Sequence, residues 1–250
     1  MAYQSDAVDR AVKMGTSGYH SGYCAERDVR RNLAEVLFSI LRLRELIPGF
    51  VTARYSKTFW GQIESGQVVL PLEAERWGIL IGWSRLISTD YLRALRIVAN
   101  VLDRQGSFDS KVLDTIESAG HIKMIGKTSP MLRLLSQQQP DCEILIAPIQ
   151  LGLSHREKSV NEARFSLTPH ETGFDLLNLL VQLLSNPRRL QSDRDLAVDD
   201  VGTQFYVSGM SRAPRVRFQK GVKVLEFSDP RKVSESSGSA TFFGSWLRAW

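Results

Sequence analysis

The chain has 250 residues, of which 43% are hydrophobic and 24% charged, an ordinary composition for a globular protein with enough length to bury a core. A formal net charge of +5 and a pI of about 9.3 favour anionic partners, a nucleic acid or an anionic membrane face, without choosing between them. No run of about 18 apolar residues exists to make a spanning helix. The opening "MAYQSDAVDRAVKMG" lacks the apolar stretch of a secretory signal, so a cytoplasmic-side protein is expected.

Residues 1–25 are polar and aperiodic, are broken by Gly15, Gly18 and Gly22, and read as a flexible arm. From Glu26 to Ile47, Val29, Leu33, Val36, Leu37, Ile40, Leu43 and Ile47 recur at helical spacing until Pro48-Gly49 stops the pattern. "FVTARYSKTFWGQIESGQVVL" is rich in β-branched and aromatic residues, with turn residues at Ser65-Gly66, and predicts one or two strands. "PLEAERWGILIGW" is ambiguous between helix and strand. Ser88, Thr89 or Asp90 then caps a helix with Leu92, Leu95, Ala99 and Leu102 on one face and Arg93, Arg96 and Arg104 largely on the other.

"SKVLDTIES" reads as helical, and "CEILIAPIQLGLS" and "ARFSL" read as strands, with Pro148 at an edge or bulge. Thr168-Pro169-His170-Glu171 carries the signals of a helix start: a capping hydroxyl, proline in the first helical position and a returning carboxylate. The helix it opens ends at Asn186-Pro187. "LAVDDVGTQFYVSG" predicts a hairpin turning near Val201-Gly202, and "APRVRFQKGVKVLEF" adds strand-like alternation. "SESSGSATFFGSWLRAW" begins as a linker. These elements predict an α+β fold built on a small, mostly antiparallel sheet, with an arm over 1–25, a core over 26–233 and a tail over 234–250.

Motifs for bond-making chemistry do not assemble. Gly126-Lys127-Thr128 ends like a phosphate-binding loop, but five residues rather than four separate Gly120 from Gly126, and Pro130 disfavours a helical Ser129. His20, His121, His155 and His170 share no ligand spacing, and Cys24 and Cys142 are expected as free thiols. Asp199-Asp200 beside a turn is a candidate for a metal, or for a solvated turn. A protein without enzymatic activity, cofactor or metal is expected.

What remains is cationic. Ser118 to Pro140 contains no carboxylate but holds Lys123, Lys127 and Arg133; Val201 to Leu225 contains none but holds Arg212, Arg215, Arg217, Lys220 and Lys223. In "RVRF" the alternation places Arg215 and Arg217 on one face of a strand and Val216 and Phe218 on the other. Such a face either grips anions or merely solvates a sheet edge. Base stacking would call on Phe205, Tyr206 or Phe218, the only aromatic residues nearby.

"GKTSPML", Gly126 to Leu132, resembles the Gly-Lys-Thr-Pro-Pro-Met-Leu segment of rhabdovirus matrix proteins of the vesiculovirus kind. "RWGILIGW" followed by "DYLRAL", and later "DLAVDDVGTQFYVSG", are similar to family segments in the same order, over about Phe59 to Met210. The resemblance implies a non-enzymatic α+β core that self-associates, contacts a viral nucleocapsid and coats the inner face of the budding membrane. The family's lysine-rich amino-terminal stretch and its proline-rich budding motifs are absent, which moves the expected anion contacts to Arg212 through Lys223. The competing expectation is a nucleic-acid-binding subunit of a ribonucleoprotein that uses the same basic strand with Arg93, Arg96 and Arg104.

Overall fold

The computed structural model describes residues 28–82, 90–106, 108–109, 111–118, 121–186 and 189–244. The arm expected over 1–25 and the closing "WLRAW" lie outside the described residues. Among the described residues seven α-helices and nine strands make an α+β architecture.

Helix α1, Val29–Leu46, begins where Asp28 accepts a hydrogen bond from the Arg31 N–H at 2.8 Å and buries Leu33, Val36, Ile40 and Leu43. It packs on β1, Arg76–Ile81, the strand into which the ambiguous "RWGILI" resolves, with all six residues buried. β1 is an edge strand, and helix side chains cover its outer groups. Asn32 of α1 accepts from the Trp77 N–H, Asn178 accepts from the Ile81 N–H, and the Gln182 amide donates to the Ile79 carbonyl. Asn178 and Gln182 belong to α7, Leu176–Ser185, buried on every side between α1, α3 and β1. Helix α3, Tyr91–Arg104, is capped by Asp90 and buries Leu95, Ala99 and Leu102, as its spacing predicts.

With β2 at His121–Met124, β3 at Ile144–Arg156, β4 at Glu171–Gly173, β5 at Ala197–Asp200, β6 at Thr203–Val207, β7 at Met210–Gln219, β8 at Val222–Ser228 and β9 at Ser237–Phe243, the sheet runs in the order β1-β3-β9-β5-β7-β6-β2, with β4 also beside β9 and β8 beside β7. β3, Ile144–Arg156, pairs with β1 over its first half and with β9 from Ile149 onward. Pro148 sits just before the β9 contact begins, so its missing N–H leaves no ladder bond unmade there. The Gln139 side chain takes the place of a strand beside Ile146, bonding both its N–H and its carbonyl.

Five expectations are corrected. Residues 57–64 form helix α2, Lys57–Glu64, not a strand: Ser56 caps it, and Phe59 and Ile63, one turn apart, face the core. "ARFSL" lies in or just after helix α6, Val160–Ser166, started by a reciprocal Ser159–Glu162 capping box. Thr168 to Glu171 forms a turn into the short strand β4, Glu171–Gly173, and the following helix starts instead at the Asp175 cap. Val201-Gly202 is no hairpin. β5, Ala197–Asp200, and β6, Thr203–Val207, lie in succession along the same strand β7, Met210–Gln219, with the sum of paired residue numbers shifting from 414 to 417 between them. The reversals fall at Ser208-Gly209 and Lys220-Gly221, where both residues of each pair adopt positive φ.

The largest correction concerns 234–250. Ser237–Phe243 is strand β9, with every residue buried, antiparallel to β3 and β4 and parallel to β5. Its serines and glycine suggest a linker by composition, yet they are small because the strand is crowded. A Cβ on Gly238 would overlap the backbone of Gly152, itself at φ 118°. The domain boundary near 233 therefore does not exist.

Candidate anion-binding furrow

β7 alternates as expected, with Val216 buried and Arg215 and Arg217 on the opposite face, but that face is not free of carboxylates. β5 places Asp199 directly opposite Arg215 in the register. The guanidinium grips the fully buried carboxylate through two bonds, Nε to Oδ1 at 2.6 Å and Nη2 to Oδ2 at 3.1 Å, and also donates to Ser237 Oγ at 3.1 Å. Arg217 pairs with Glu226 of β8, Val222–Ser228, at 2.9 Å. The carboxylate-free window from Val201 to Leu225 misled because Asp199, Asp200 and Glu226 stand just outside its two ends, and antiparallel pairing folds them across it.

Lys223 is also no surface cation. It is buried with its ammonium 5.9 Å from the Phe108 ring centre, and burial, reinforced by Arg42, holds its pKa below the usual lysine range. Lys220 is exposed in the β7–β8 turn. Lys123 on β2, His121–Met124, Lys127 in the following turn and Arg133 on α5, Thr128–Gln138, are all exposed and hold no salt bridge among the described residues. Of the helix arginines, Arg96 pairs with Glu117 of α4, Val112–Glu117, at 3.2 Å, and Arg93 and Arg104 are exposed.

The Gly126-Lys127-Thr128 triplet joins β2 to α5, and its threonine turns inward. Thr128 is fully buried, with its hydroxyl 3.1 Å from the Ile125 carbonyl and 3.0 Å from that of Gly173, so it ties the start of α5 to β4. Contrary to the sequence reading, Ser129 and Pro130 lie in the first helical turn, where a proline's missing N–H has no partner to lose.

Three depressions follow one another as a furrow, each sharing at least one lining residue with the next. A cleft of about 200 Å³ is lined by Lys127, Arg164 and Glu171 among others. Arg164 also lines a second, about 390 Å³, with Arg212, Asp229 and Arg231. Arg212 and Asp229 recur in a third, about 410 Å³, with Arg215, Glu226 and Lys232. Each carboxylate along the furrow already has a partner: Glu171 has the His155 imidazole, Asp229 has Arg231 at 3.1 Å, and Glu226 has Arg217. Lys127, Arg164, Arg212 and Lys232 hold no salt bridge among the described residues.

Arg164 anchors the middle. α6 carries it, and its guanidinium donates to the carbonyls of Val201 and Thr203 and to Asn161 Oδ1, at 2.9 to 3.2 Å. Burial lowers its pKa against the pull of Asp200, yet an arginine remains charged. The fixed guanidinium thus lends positive potential to both neighbouring clefts. Arg164 is not among the cations expected from the sequence because "ARFSL" reads as a strand; the Ser159-x-x-Glu162 capping pattern is the signal for a helix there.

Beneath the furrow lies a buried polar layer. Asp200 accepts from the Gly202 and Thr203 N–H groups at 2.8 and 2.9 Å, which bends the chain between β5 and β6. Burial raises its pKa well above the carboxylate range, and Asp175, bonded to Tyr91 and Asn178, is raised for the same reason. Asp199-Asp200 is therefore not a solvated turn: Asp199 is held by Arg215, and backbone N–H groups hold Asp200 Oδ1. His155 Nε2 lies 2.7 Å from Glu171 Oε1, linking β3 to β4, and Ser166 Oγ is 3.5 Å from His155 Nδ1. That order mimics a hydrolytic relay, but the serine hydroxyl lies closer to the Ala163 carbonyl, at 3.0 Å, as an ordinary helix-end bond.

Only one aromatic side chain lines the furrow among the described residues, Phe227, and its ring packs on buried Phe205 at 5.0 Å. Tyr206 lies beside His121, and Phe218 packs against the core. No protein-family model, curated protein or solved structure matches the chain.

Proposed function

We propose that this is a non-enzymatic structural protein of a ribonucleoprotein assembly, of the matrix type its sequence resembles, and that it grips the phosphates of the assembled nucleic acid along the furrow. The observation that carries this reading is the row Lys127, Arg164, Arg212 and Lys232, four cations that hold no salt bridge among the described residues, along three adjoining depressions. A linear polyanion follows such a row, whereas a plane of headgroups meets a concave surface at its rims. The scarcity of aromatic lining supports contact with backbone rather than bases. Arg215 stands in the wall as a structural member.

The test is fluorescence anisotropy with single-stranded RNAs of contrasting sequence, run beside flotation on neutral and anionic vesicles. The expected result is similar affinity for all RNAs and a loss of more than about tenfold in a Lys127→Ala/Arg212→Ala/Lys232→Ala variant. Unchanged RNA affinity in that variant overturns the reading. Loss of anionic-vesicle binding alone transfers the furrow to a membrane.

A further inference from the structure

The outer face of α1 is apolar where a solvated helix should be polar. Its exposed residues include Arg30, Ala34, Leu37, Phe38, Leu41 and Glu45, at spacings of three and four that form one stripe, with Val29 and Arg31 exposed at its amino-terminal end. Phe38 is 56% exposed, Leu41 48% and Leu37 37%. The inner face already holds the core, so this stripe contributes nothing to the fold. Contiguous exposed apolar patches of this kind mark contact surfaces.

The order of residues identifies the partner. Arg30 and Glu45 add to 75, Ala34 and Leu41 add to 75, and Leu37 and Phe38 add to 75. Two copies of this helix laid antiparallel about a two-fold axis between Leu37 and Phe38 therefore match throughout. Each Arg30 meets a Glu45, each Leu41 covers an Ala34, and each Leu37 meets a Phe38. Arg30 and Glu45 hold no salt bridge within the chain among the described residues, and each lies about 11 Å along the axis from the centre. The small Ala34 also lines an open groove of about 480 Å³ with Phe38, Trp77 and Gly78, where Arg31 and Arg76 both pair with Glu35, and its apolar part gives the incoming leucine a seat.

We propose that the chain forms a symmetric dimer through antiparallel pairing of α1, an isologous contact in which one patch serves both copies. This inference does not rest on the furrow, and it names the surface, register and symmetry of self-association. A dimer of this form turns two single furrows into one bivalent grip on a continuous polyanion.

The test is sedimentation of the full chain over a concentration series, with circular dichroism confirming that each variant is folded. Phe38→Glu should weaken association by about a hundredfold. Arg30→Glu or Glu45→Arg alone should weaken it about tenfold, and the double variant should restore it by recreating both ion pairs in the reverse sense. A Leu37→Cys variant, near the axis, should cross-link to its copy on oxidation, whereas Glu45→Cys, about 22 Å from its copy, should not. A wild-type chain that stays monomeric to about 1 mM overturns the proposal. So does a dimer indifferent to Phe38→Glu, or a charge swap without rescue. Loss of vesicle binding in Phe38→Glu with no dimer in the wild type assigns the stripe to lipid and overturns it equally.

Discussion

Arg215 and Asp199 show how one ion pair redirects a functional reading. Arg215 belongs to a strand whose local sequence has no acid, yet its two-bond grip on Asp199 makes it part of the sheet's internal bonding. Removing one partner of a buried pair leaves the other charged and unpaired, which costs about 3–5 kcal/mol. Arg215→Ala should therefore lower the unfolding free energy by that amount in urea titration, while RNA affinity under folded conditions stays close to wild type. Asp200 gives a pH signature at the same scale. Its folded pKa lies above its unfolded value because burial disfavours the charge, so its contribution to stability is full below the ordinary carboxylate range and is lost as pH rises. Asp200→Asn does not titrate, and its stability relative to wild type should increase from pH 5 to pH 8 in thermal unfolding. Glu171 acts in the opposite sense. Burial pushes its pKa up, but the bonds from His155 and Thr241 outweigh that and hold it down, so its stabilisation is lost as pH falls below the carboxylate range.

At the scale of elements, what could be read from the sequence followed from burial geometry. α1 and α3 bury one face each and show helical spacing, and β3 buries both faces and shows an apolar run; all three were legible. The α+β class followed from them. β9 was not legible, because a central strand pressed against another backbone must carry small residues, and a Ser/Gly/Ala run is also how linkers are written. α2 and α6 were too short to show a period, and only their caps, Ser56 and Ser159, distinguished them from strands. The candidate site was half legible for a related reason. Lys127 and Arg212 stand out in the sequence as cations in carboxylate-free windows, but Arg164 needed α6, Lys232 needed the turn before β9, and Asp199 needed the sheet order. β9 supplies a direct check. Ending the chain at residue 233 removes a strand paired with β3, β4 and β5, and should abolish the cooperative unfolding transition. Gly238→Ala, which overlaps Gly152, should cost about 3 kcal/mol.

For the whole molecule, the net charge of +5 matters less than where it is left over. Arg76, Arg96, Arg215, Arg217 and Arg231 all face carboxylates within the chain. Lys127, Arg164, Arg212 and Lys232 line the furrow and Arg133 stands on α5, while the apolar stripe of α1 is flanked by Arg30 and Arg31 at one end and Glu45 at the other. Charge and apolar surface are thus segregated, as suits a protein that holds a polyanion with one surface and its own copy with another. The most direct measurement is the salt dependence of single-stranded RNA binding. With four furrow cations on phosphates, the logarithm of affinity should fall against the logarithm of salt with a slope of about −3, and each alanine substitution at Lys127, Arg212 or Lys232 should shallow it by about 0.7. A slope near zero, or one that these substitutions leave unchanged, would contradict the account.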